Sequence, residues 1–201
     1  MTQTTQATKK LDRKSLWSLE EYAERRNEFR REMIAHKKTR RIALGPHVSL
    51  LFEDFNTMKY QVQEMLRTEK IFEAAGIAEE LESYNPLIPD GSNWKATMLI
   101  EYPDVEQRRV ALNNMPGVEN TVWVQVEGCE RSTAIANEDM ERSTEEKAAA
   151  VHFLRFELTA DAVAALKAGK SLAMGVDHPE IAQVLNPVPA ASVQSLIGDL
   201  A

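Results

Sequence analysis

RRIALGPHVSLLFED, residues 40–54, is the stretch on which the reading of the fold turns. Gly45 and Pro46 lie between two apolar runs. Glycine supplies an unusual first turn conformation and proline fixes the next φ, so the segment reads as two strands joined by a tight turn. With Gly45 and Pro46 as the two loop residues, Leu44 pairs with His47, Ile42 with Ser49, Arg40 with Leu51 and Lys38 with Glu53, all on one face. The opposite face carries Ala43, Val48, Leu50 and Phe52 and is the expected core side. This register gathers Arg40, His47, Ser49 and Glu53 beside Ile42, Leu44 and Leu51. A base, an acid and a cation would then either ring a ligand pocket or sit on a half-exposed sheet face carrying a Lys38–Glu53 pair.

The strands run directly into NTMKYQVQEMLRTEKIFEAAGIAEELESYNPLIPDG, residues 56–91. Val62, Met65, Leu66, Glu69 and Phe72 recur at helical intervals, with Gln61, Glu64, Arg67 and Lys70 on the polar side. Gly76 is expected to interrupt this helix. Asn85-Pro86 ends it, because a residue before proline avoids the α region. Upstream, Ser18 and Glu21 form an S-x-x-E capping box that starts a helix running to Lys37. Spacings of three and four put Leu19, Tyr22, Arg26, Phe29, Met33 and His36 on one stripe. Two of those positions are polar. Arg26 either presents a guanidinium to a carboxylate or phosphate ligand, or packs its stem and meets an internal acid. Residues 1–14 are polar and read as a disordered tail.

From Lys95 the pattern is strand, helix, strand: KATMLIEY, DVEQRRVALNNM, TVWVQVEG. It recurs as AVHFLRFEL, TADAVAALKAG and SLAMGVD, with Thr159 as a helix cap. The expected fold is α+β: a mixed or antiparallel sheet with ferredoxin-like split β-α-β units, an N-terminal hairpin and long helices packed on the sheet. Residues 15–201 form one domain on this reading, divided into a helix-hairpin-helix part (15–90) and a split β-α-β part (95–201). Asn137 to Lys147 is a charged spacer between the two units. Val193, Leu196, Ile197 and Leu200 make a short amphipathic helix after Pro187 and Pro189.

Five strings, ALGPHVSLLFE, YQVQEML, YNPLIP, HFLRF and GVDHP, resemble a bacterial family known as domain of unknown function 3501. The resemblance runs from about Leu16 to Leu200. It implies a fold boundary and no assigned chemistry. It also implies partners, since members of the family neighbour rubrerythrin-like proteins and iron–sulfur proteins on bacterial chromosomes.

Composition narrows the function classes. There is one cysteine, Cys129, so the chain cannot form an internal disulfide or hold an iron–sulfur cluster by itself. The four histidines show no HxxxH or ExxH spacing, and neither a P-loop nor a GxSxG elbow is present. No metal or other cofactor is expected. His152 alternates with Leu154, Phe156 and Leu158 and reads as a satisfied core histidine. Asp177 and His178 are neighbours in GVDHP; one of them is expected to cap a helix begun at Pro179 rather than join in a metal site. The 201 residues carry 24 Lys and Arg against 31 Asp and Glu. Residues 1–41 are basic, but acids interleave with the bases, which argues against nucleic acid. No apolar run spans a membrane, and a cytoplasmic protein is expected.

The function expected on this basis is a non-catalytic accessory or interaction protein in a redox or stress-related system. Gln61, Glu64 and Arg67 form its partner surface, and a homo-oligomer is also open. The rival is a small-molecule binder or enzyme whose pocket is lined by Arg26, Arg40, His47, Ser49 and Glu53. A nucleic-acid binder using residues 9–41 is a third, weaker alternative.

Overall fold

The computed structural model describes residues 9–138, 142–144 and 147–201. Lys10 donates to the carbonyls of Asn85 and Ile88, and Leu11 is buried with its N–H on Asn85 Oδ1. Residues 9–14 are therefore anchored rather than disordered. The rest of the expected tail, residues 1–8, lies outside the described residues, as do 139–141 and 145–146 of the charged spacer.

Helix α1 (Leu19–Arg40) begins at Ser18, whose hydroxyl accepts from the Glu21 N–H at 3.2 Å. Tyr22, Phe29 and Met33 are buried along its expected stripe, and Arg26 and His36 are half-buried on it. The helix outruns its expected end by three residues. Arg40, placed on a strand by the sequence reading, is its last residue, one turn beyond His36 on the same stripe.

Strands β1 (Arg41–Leu44) and β2 (Val48–Glu53) form the expected hairpin in a different register. Leu44 pairs with Val48, Ala43 with Ser49, Ile42 with Leu50 and Arg41 with Leu51. The loop has three residues, Gly45-Pro46-His47, and Gly45 takes a left-handed φ of +71° that a side chain would strain. The shift of one residue turns β1 over, while β2 keeps its expected faces. Ile42, Leu44, Val48, Leu50 and Phe52 form the core side, while Arg41, Ala43, Ser49, Leu51 and Glu53 share the other.

Helix α2 (Phe55–Glu69) stops at Lys70, which is left-handed, and α3 (Ala74–Tyr84) follows. The break lies before Gly76, not at it. Gly76 sits inside α3, where a Cβ would come 2.8 Å from Ile71. The helix ends ahead of Pro86 as expected.

The two strand-helix-strand units are β3 (Asn93–Ile100), α4 (Val105–Asn113), β4 (Val122–Val126) and β7 (Val151–Glu157), α5 (Ala160–Lys167), β8 (Leu172–Val176). Thr159 caps α5. Short strands β5 (Arg131–Thr133), β6 (Ile135–Ala136) and β9 (Gln183–Leu185) had no sequence signal. Helix α6 (Ala190–Ile197) closes the chain.

All pairings are antiparallel, in two sheets ordered β1-β2-β3-β7-β6 and β5-β4-β8-β9. The units therefore do not interleave into one ferredoxin-like sheet. α4 and α5 each carry the chain across to the opposite sheet, so that β3 pairs with β7 and β4 with β8. The inner faces share one core, from Leu50, Phe52, Trp94 and Phe156 on one side to Val122, Val124 and Met174 on the other. The sheets meet at both flanks: the chain crosses from β5 to β6 at Ala134, and β1 lies against β8 and β9. α1 packs on β2, α2 and α6, which places the C-terminal helix over the end of the first.

Candidate functional site

Arg40 ends α1 with a side chain that is only 1% exposed. A buried guanidinium is tolerated where its donors are satisfied and its charge is met. Nε donates to the Phe52 carbonyl at 2.8 Å, and Nη2 donates to the Glu53 carbonyl at 3.0 Å and to Asp199 Oδ2 at 2.5 Å. Nη1 reaches the Ser195 carbonyl at 3.3 Å and its hydroxyl at 3.4 Å. One side chain thereby ties α1 to the end of β2 and to the last turn of α6.

Asp54 is the second organiser. Its Oδ1 accepts from the Thr57 N–H at 2.8 Å and caps α2, while the Thr57 hydroxyl accepts from the Asp54 N–H. Its Oδ2 lies 2.6 Å from His36 Nε2 and 3.5 Å from Arg40 Nε. Burial acts to raise the Asp54 pKa, but His36 and Arg40 outweigh it and hold the group below the ordinary carboxylate range. The Asp54 carboxylate orients the imidazole ring of His36 by engaging Nε2, which leaves Nδ1 without a hydrogen bond among the described residues.

These groups border a cleft of about 300 Å³ between the end of α1, the start of α2 and the last turn of α6. Phe55, Ile88 and Pro89 give it an apolar wall, and Asn56, Gln194 and Asp199 add polar groups. Asp199 engages Arg40 through Oδ2, and its Oδ1 carries no hydrogen bond among the described residues. Burial pushes the Asp199 pKa up to about 6, with Arg40 opposing and the nearby Asp54 charge adding to the rise. At the end of β2, the buried Glu53 takes a 2.7 Å hydrogen bond from Thr97 while its Oε2 has no partner among the described residues. Its pKa is raised, chiefly by burial.

The five residues expected to form one ligand site are divided among three places. Arg26 lies about 21 Å along α1 from Arg40, at about 1.5 Å per residue. There it makes a two-pronged pair with Glu64 at 2.7 Å, its stem packed as the alternative reading had it. Tyr22 donates to the same carboxylate at 2.6 Å. His47 stacks on Tyr102 at 3.8 Å beyond the hairpin, and Ser49 contacts Arg41 and Glu101. His47 and Ser49 both reach Glu101, and Arg40 meets Glu53 through the Glu53 main chain. His47 is drawn into the turn by the three-residue loop, Ser49 keeps its expected face of β2, and the extension of α1 is what takes Arg40 off that face.

The expected partner surface is also altered, because Glu64 is occupied by Arg26 and Tyr22. Gln61 is half-buried and Arg67 exposed beside it. Asp177 pairs with Arg131 at 2.9 Å, and no helix begins at Pro179: His178 Nδ1 and carbonyl instead accept from Glu180 and Ile181 in a turn leading to β9. His152 is fully buried, with Nε2 2.9 Å from the Ala149 carbonyl and Nδ1 3.1 Å from Asn137, the satisfied core histidine expected. No group of three His, Cys, Asp or Glu among the described residues could hold a metal ion, and no helix among them is long and apolar enough to cross a membrane.

Sequence reasoning missed His36, Asp54, Gln194 and Asp199 as site residues. His36 carried a signal, as a polar position on the apolar stripe of α1. Asp199 carried a weaker one, an acid between Leu196 and Leu200 at the end of an amphipathic helix.

A family model described as a protein of unknown function, DUF3501, matches residues 10–200. A crystal structure of a novel protein of unknown function from Burkholderia pseudomallei K96243 is 48% identical, with a TM-score of 0.91 over 96% of this chain and 100% of its own. No curated protein matches the chain.

Proposed function

Because the chain belongs to the DUF3501 family of proteins of unknown function, we propose a function from the site itself: binding of a compact, polar small molecule in the cleft at the junction of α1, α2 and α6. The observation that carries this reading is Asp199, a carboxylate 9% exposed that borders the cleft with one oxygen unengaged. Buried polar atoms are normally paired within the protein or by water. Asp199 Oδ1 is an open acceptor at a concave surface, beside the imidazole of His36, and is suited to act as a recognition group. The volume, about 300 Å³, sits at the small end of ligand sites. The network of Arg40 fixes Asp54 and Asp199 before any ligand arrives, and such preorganisation reduces the ordering cost of binding.

The accessory-protein reading and its redox setting rest on the family resemblance. The loss of Glu64 to an internal pair weakens its proposed surface, so the cleft is preferred.

Thermal-shift screening of the full chain against small polar metabolites tests this. A ligand should raise the Tm of the wild type and not that of Gln194→Trp. Gln194 is exposed at the rim, so tryptophan there fills the cleft while leaving the Arg40 network intact. Equal shifts in both proteins would place binding elsewhere.

A further inference from the structure

We propose that the ligand of this cleft is a small aliphatic amine, its ammonium held against Asp199 Oδ1 and its chain laid along Phe55, Ile88 and Pro89. The inference rests on the cleft-binding reading above and adds the charge class of the ligand.

The charges around the cleft do not balance. Two carboxylates, Asp54 and Asp199, meet one guanidinium, Arg40, and one imidazole, His36, at the cleft wall, while the Glu53 carboxyl turns away to Thr97. Arg40 has spent its donors on Phe52, Glu53, Ser195 and Asp199, and among the described residues no other Lys or Arg lines the cleft to meet an anionic ligand. The end of α6 adds to the negative potential, since Asp199 follows its last turn, where carbonyls point outward. The start of α2 opposes this, with Phe55 and Asn56 at its first two positions, but Asp54 is the cap there and offsets that positive end with a full charge.

Carboxylates crowded together away from water are stabilised by a proton or by a cation. The raised pKa of Asp199 is the first solution, in the absence of ligand. An ammonium would be the second. A metal ion fits less well, because Asp54 has given one oxygen to the α2 cap and the other to His36. A single free carboxylate oxygen suits one N–H donor of an ammonium, with His36 Nδ1 as a second acceptor. The apolar wall then accepts methylenes.

An isosteric series separates the possibilities: butane-1,4-diamine, butane-1,4-diol and butanedioate, titrated calorimetrically into the full chain. The diamine is expected to bind saturably at pH 7.5, at least tenfold more weakly to Asp199→Asn, and undetectably to Gln194→Trp. Protons compete with the ammonium for Asp199, so affinity should fall about tenfold between pH 7.5 and pH 5. Asp54, Glu53, Arg40, His36 and Lys37 are the other charged or titratable groups at the cluster. If the diol or the dianion binds as well as the diamine and Gln194→Trp abolishes it, the amine inference falls and cleft binding stands. Diamine binding that both variants leave unchanged, or no binding by any of the three, overturns the inference. Gln194→Trp, outside the charge network, keeps the test intact if Asp199→Asn fails to fold.

Discussion

Arg40 shows how far a single side chain can specify both fold and site. Its guanidinium satisfies two carbonyls left at the end of β2 and positions Asp199, so truncating it would leave carbonyls and a carboxylate buried together. The pH dependence of stability reports on that arrangement. Asp199 has a pKa of about 6 in the fold against an ordinary 3.8, so the folded state holds its proton more tightly than the unfolded chain does. The sign follows: its contribution is full below about pH 4 and is lost as pH rises through 6. Relative to Asp199→Asn, the wild type should lose roughly 1–3 kcal/mol across that interval, read from urea midpoints at each pH. Parallel profiles would mean that Asp199 is ordinary. At the far end of α1, Glu64→Ala strips the acceptor from the buried Tyr22 hydroxyl and from Arg26. It should cost about 1–3 kcal/mol in the same assay, and Glu64→Gln, which keeps an acceptor, should cost less.

At the scale of elements, periodicity was readable and pairing was not. The α1 stripe, the stop before Pro86 and both strand-helix-strand units follow from local spacing and capping, and each lies within a few residues of its expected place. The hairpin register depended on whether His47 pairs or turns. Nothing in RRIALGPHVSLLFED decides between a two- and a three-residue loop, and the one-residue difference put His47 in the turn and brought Ile42 and Leu44 to the core face. β5, β6 and β9 are two or three residues long, too short to show alternation. The division into two sheets is set by contacts remote in sequence, and so is the cleft, which joins residues 36 and 199. Gly175 in β8 tests the sheet packing, since a Cβ there would come 2.4 Å from the Trp123 ring and 2.8 Å from the Gln183 carbonyl. Gly175→Ala should therefore destabilise by about 1–3 kcal/mol. Retention of wild-type stability would show that β8 and β9 are not held as described.

For the whole molecule, the two sheets make a frame with one shared core, and the first helix meets the C-terminal helix at its edge. The cleft lies at that meeting point, and its polar groups come from both ends of the chain. Binding there would link α1 to α6 and raise stability in proportion to ligand occupancy. The central claim is that this cleft, and not the hairpin face or the polar side of α2, receives the ligand. Chemical-shift mapping of the 15N-labelled chain with a library of small polar compounds tests it most directly. The account predicts that amide shifts for any binder cluster at His36, Asn56, Gln194 and Gly198. Shifts centred on His47 and Tyr102, or on Gln61 and Arg67, would contradict it.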